Sequence, residues 1–159
     1  MKAATLAQLK QELKFRSSED LEALCLRLAR FKKENKELLT YLLFEAEDEA
    51  AYTEHIKEFI SQRFEEINTD SFYYIKKSVR KILRETKKFI RYSPVKETEV
   101  ELLLHFCYEL WEFKPSIRAN TTLMNLYGRQ IALVRKKVGT LHEDLQFDYM
   151  LEIENLPLN

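Results

Sequence analysis

A chain of 159 residues with 45% hydrophobic side chains carries enough apolar material for one cored domain, which excludes a disordered chain. Two glycines and three prolines against 33% charged residues leave too few turn formers for a strand-rich fold and favour helices throughout. The 26 basic side chains balance the 26 acidic ones, so attraction to an anion has to come from the arrangement of charge, not its sum.

Eight helices are expected. The first covers about residues 5–15, opened by Thr5 with Gln8 three positions on, the spacing of a capping box. Ser17 or Ser18 caps a second over about 19–32, with Leu21, Leu24, Cys25, Leu28 and Phe31 on one face. A third spans about 35–45. A fourth runs over about 48–67 and turns Tyr52, Ile56, Phe59, Ile60, Phe64 and Ile67 inward, before the polar run Asn68–Ser71 stops it.

The fifth, about 72–92, ends before Pro94, because a residue preceding proline avoids the α region. The sixth, about 97–113, is apolar over more than half its circumference and is expected to be the most buried. Pro115 closes it. A seventh spans about 120–138, with Gly139 in the position of a left-handed cap, and an eighth about 142–154. Short connections favour antiparallel neighbours in a single all-α domain over residues 1–159, built as stacked helical hairpins or, alternatively, a compact bundle. The hairpin lengths approach those of helical repeats, but no side-chain signature recurs between them.

Charge alternates along these segments. Residues 45–70 carry a net −7, 71–93 carry +7, 94–113 carry −4, 114–137 carry +6 and 138–159 carry −5. Within Ser71–Ser93, at about 100° per residue, all eight cations fall on one side of the helix: Lys76, Lys77, Arg80, Lys81, Arg84, Lys87, Lys88 and Arg91. Phe72, Val79, Ile82, Leu83, Phe89 and Ile90 fall on the other. The basic stripe extends for roughly 22 Å. Tyr73 lies inside its arc and Tyr74 and Tyr92 on its edge, where rings could stack on bases. In stacked hairpins the seventh helix would add Arg129 and Lys136 on the same broad side, with Thr122 and Asn125 alongside.

Two explanations of the stripe compete. In one, acidic residues of the fourth helix, such as Glu54, Glu58 and Glu65, neutralise it through flanking ion pairs, and cations near the helix C-terminus answer the macrodipole. In the other the stripe is a docking face for an acidic protein surface or for nucleic acid. No zinc-finger spacing or RNA-binding strand motif favours the latter ligand.

Signatures of chemistry are sparse. His55, His105 and His142 belong to no metal-binding motif; His105 shares a face with Glu101 and Glu109, expected to be a solvated electrostatic cluster. Two glycines cannot build a phosphate loop, and Cys25 and Cys107, each set among apolar neighbours, fit small core hydrophobes better than a disulfide or nucleophile. No apolar run reaches the length of a membrane span and the first residues do not form a signal peptide. The expectation is therefore a cytoplasmic, non-enzymatic interaction module without metal or cofactor and without a membrane role. It would use the eight cations of the fifth helix, with a nucleic-acid-binding accessory protein that adds Tyr73, Arg129 and Lys136 as the alternative.

Overall fold

The computed structural model describes residues 1–156, among which every regular element is helical and none is a strand. The chain falls into two compact units, Met1–Phe44 and Glu45–Asn159.

In the first unit, α1 (Leu6–Leu13) opens on the expected capping box: the Gln8 amide donates to the Thr5 hydroxyl at 3.3 Å, and the Thr5 amide to the Gln8 side chain at 2.9 Å. The next helix, α2 (Ser18–Phe31), is capped by Ser17, whose hydroxyl accepts from the Asp20 amide at 3.1 Å. Lys32 adopts an extended conformation that breaks the helix, and α3 (Lys33–Thr40) starts at once. The Asn35 side-chain amide bonds the Leu28 carbonyl at 2.9 Å and holds this bend. After α3 the backbone passes into a π turn, Tyr41–Glu45. No residue of α1, α2 or α3 is buried. Cys25, expected in a core, is exposed on a helix none of whose residues is buried.

The second unit contains α4 (Glu49–Glu65), α5 (Phe72–Ile90), α6 (Lys96–Glu112), a 3₁₀ turn (Ile117–Ala119), α7 (Thr121–Val138) and α8 (Glu143–Asn155). Consecutive helices pack on one another across short connections, which makes them antiparallel neighbours, and α6 also packs on α4. As its sequence implies, α6 is the hub. Nine of its residues are buried, from Thr98 to Trp111, and Val100, Leu102, Phe106, Cys107 and Leu110 lose all their exposure. Each such aliphatic or aromatic side chain stabilises the unit by about 1.5–3 kcal/mol relative to leaving it in water.

Several polar groups within this core are answered locally, although Gln130 Oε1 is buried without a hydrogen-bond partner among the described residues. The Glu49 carboxylate at the start of α4 accepts from the hydroxyls of Ser93 and Thr98, joining α4 to the start of α6. The Tyr52 hydroxyl donates to the Phe89 carbonyl at 2.9 Å and joins α4 to the end of α5. Asn120 caps α7 through the Leu123 amide at 3.1 Å, and His142 caps α8 through the Asp144 amide at 3.3 Å.

Gly139 departs from expectation. Its φ of −59° and ψ of −13° are right-handed, so it is no left-handed cap. The helix ends by tightening instead: Thr140 bonds the Lys137 carbonyl and Leu141 the Val138 carbonyl, which carries Leu141 back into the core.

Candidate interaction surface

The hydrophobic face of α5 fixes where its cations go. Ile75, Val79, Ile82 and Thr86 are buried, which turns the opposite side of the helix to solvent. Lys77, Arg80, Lys81, Arg84 and Arg91 are exposed, while Lys76, Lys87 and Lys88 lie half-buried along the edges. Lys88 rests its ammonium over the Phe89 ring, 4.6 Å from the centroid. Tyr73, 66% exposed, meets Tyr74 edge-to-face near the start of the stripe, with centroids 5.4 Å apart.

The carboxylates of Glu54 and Glu66 do not reach this stripe. Glu54 pairs with Lys57 at 2.8 Å and Glu66 with Arg63 at 3.1 Å, both within or beside α4 itself. Across the α4–α5 seam the polarity is reversed: Arg63 of α4 lies 3.8 Å from Glu85, the one acidic residue in the 71–93 segment. Lys76, Lys77, Arg80, Lys81, Arg84, Lys87 and Arg91 form no ion pair among the described residues.

The α7 cations fall into different surroundings. Arg129 and Lys136 are exposed, Lys137 is taken by Glu99 at 2.7 Å, and Arg118, in the 3₁₀ turn before α7, stacks over Trp111 at 4.6 Å. Both α5 and α7 pack on α6. No hydrogen bond or ion pair among the described residues brings Arg129 or Lys136 to the α5 set.

A second polar constellation lies between α4 and α6, where sequence alone implied a solvated face. His105 and Glu109 are instead half-buried against Ser61. The Ser61 hydroxyl donates to Glu109 Oε1 at 2.6 Å and stands 2.8 Å from His105 Nε2, so its one proton is committed to the carboxylate and the ring must donate from Nε2. Glu109 also lies 3.5 Å from that same ring nitrogen. A Ser–His–acid relay needs the carboxylate on the far nitrogen and the hydroxyl proton aimed at the ring, and neither condition holds here.

One turn away, Lys57 bridges Glu54 and Glu101 at 2.8 Å each, and Glu101 also accepts from the Tyr149 hydroxyl at 3.1 Å. Burial pulls the Lys57 ammonium down, but the bonds and charges of Glu101 and Glu54 together outweigh it and hold it above its ordinary value. Burial, assisted by the Glu101 charge and hydrogen bond, raises the Tyr149 phenol, so it stays protonated as a donor. An open groove of about 630 Å³ runs over this cluster. No group of three or more His, Cys, Asp or Glu side chains among the described residues is placed to hold a metal ion. No helix of the described residues is long and apolar enough to cross a membrane.

No protein-family model, no curated protein and no solved structure matches this chain.

Proposed function

We propose that the chain is a non-enzymatic interaction module whose α5 face docks an acidic surface of a macromolecular partner. One observation carries this reading: seven stripe cations have no ion pair among the described residues, although α4 beside them is rich in carboxylates. A net +7 over residues 71–93 concentrates positive potential on one side of a neutral molecule. An acidic partner gains by replacing water and counterions around those side chains, and the rigid helix fixes their spacing in advance.

A second reading rests on Tyr73 and Tyr74, whose exposed rings adjoin the stripe and offer stacking surface for a nucleic acid base. Fluorescence anisotropy with a labelled Asp/Glu-rich peptide, single- and double-stranded DNA, and RNA over a salt series divides the two. The first reading expects the peptide to bind while nucleic acid affinity is absent at about 0.15 M salt. Nucleic acid binding that falls linearly in log–log form with salt and weakens in Tyr73→Ala would favour the second. Absence of binding to any of these polyanions at low salt contradicts both.

A further inference from the structure

We propose that the acidic surface met by α5 is the outer face of α8 on a second copy of this chain, so that copies join through unlike faces. This inference rests on the reading of α5 as a docking face and names its partner.

Tyr149 and Ile153 turn one side of α8 into the core. On the opposite side Phe147 and Leu151 are 66% and 46% exposed and stand about 40° apart around the helix axis. Glu143 and Glu154 flank them on one edge and Asp144, Asp148 and Glu152 on the other; all five are exposed, and α8 contains no lysine or arginine. Asp144 lies 3.6 Å from the His142 ring, while Glu143, Asp148, Glu152 and Glu154 form no ion pair among the described residues. An apolar centre inside a charged rim is the anatomy of a protein–protein contact, and the sign of this rim calls for a cationic partner. Asp148 and Glu152 also border the open groove above Lys57 and Glu101, which leaves room for the long stem of an entering lysine or arginine.

What selects a second copy is that α5 of the same chain carries the matching features. Seven of its stripe cations form no ion pair among the described residues, and Tyr73 and Tyr74 supply exposed rings beside them. The stripe extends for roughly 22 Å and so accommodates the carboxylates of α8, which run over about 16 Å from Glu143 to Glu154. Within one molecule α5 packs on α4 and α6 and α8 chiefly on α7, and no ion pair among the described residues joins the two faces. Charges that sum to zero over the chain let copies approach without net repulsion. Unlike faces make the contact heterologous: a copy that has used its α5 still offers its α8, so association continues to a third copy or closes into a ring.

Sedimentation equilibrium of the full chain at about 0.05 M and about 0.5 M salt tests the pairing. At the lower salt the average mass should rise with concentration from 19.1 kDa to twice that value and beyond, and at the higher salt it should fall back toward the monomer. Arg80→Glu/Arg84→Glu and Asp148→Lys/Glu152→Lys, each alone, should weaken association by about tenfold or more, with circular dichroism unchanged because all four side chains are exposed. An equal mixture of the two variants should associate again, since one keeps the carboxylates of α8 and the other the cations of α5. A wild type that stays monomeric at low salt overturns the pairing; if it still binds a labelled acidic peptide the α5 reading stands, and if it does not, both fall. Association that survives in either variant, or a mixture that stays monomeric, overturns the pairing too.

Discussion

Ser61 stands between two groups that compete for its hydroxyl, and the carboxylate of Glu109 takes the proton. His105 therefore presents its Nε2–H to this pair, and it is burial that disfavours its charged form. Burial lowers its pKa; the Glu109 charge pulls the other way, Lys57 lowers it further through its charge, and Glu54 raises it. A histidine whose folded pKa lies below the unfolded value of 6.5 contributes stability that is complete above that pH and is lost as pH falls through the folded pKa. The urea midpoint of the wild type should therefore drop between about pH 7 and pH 5 more steeply than that of His105→Gln. Equal pH dependence in the two proteins would remove His105 from the account. The cysteines offer a simpler check at this scale. Cys107 is fully buried with its thiol pushed up to about 12, whereas Cys25 is exposed. A thiol reagent should titrate one cysteine in the native protein and two in denaturant.

At the scale of the element, the caps and the α6 core are separate contributions with separate sizes. Removing the Asn120 cap from α7 by Asn120→Ala should cost about 1 kcal/mol, and Leu110→Ala in the centre of α6 about 2–5 kcal/mol. Chemical denaturation reads both, and a cost for Asn120→Ala as large as that for Leu110→Ala would contradict the division. The features that sequence made legible are local ones: the Thr5–Gln8 box, the Ser17 cap and the apolar circumference of α6 each follow from residues within a few positions of one another. Helical periodicity also told which side chains share a face of α2, but not whether anything covers it, and so Cys25 read as core. The Ser61–His105 contact joins residues 44 positions apart and depends on the pairing of α4 with α6, which no local pattern encodes. The π turn at Tyr41–Glu45 and the right-handed Gly139 are matters of backbone hydrogen-bond register without a side-chain signature.

For the whole molecule, neutrality conceals strong local fields. The 45–70 segment carries −7 and spends part of it internally, through Glu54, Glu66 and Glu49, while five cations of the next, +7 segment, Lys77, Arg80, Lys81, Arg84 and Arg91, are exposed. Stripe cations without internal partners leave affinity for an acidic partner sensitive to salt but stability nearly indifferent to it. Raising salt from about 0.05 to 0.5 M should weaken binding by more than an order of magnitude while shifting the urea midpoint little. Because no hydrogen bond or ion pair among the described residues joins Arg129 or Lys136 to the α5 set, the account assigns them a part only for a ligand long enough to reach them. The most direct measurement is anisotropy of a labelled acidic peptide with the wild type, with Arg80→Glu/Arg84→Glu and with Arg129→Glu/Lys136→Glu. The account predicts that reversal on α5 abolishes binding while reversal on α7 leaves it within about threefold of the wild type. Retained binding by the α5 variant would contradict it.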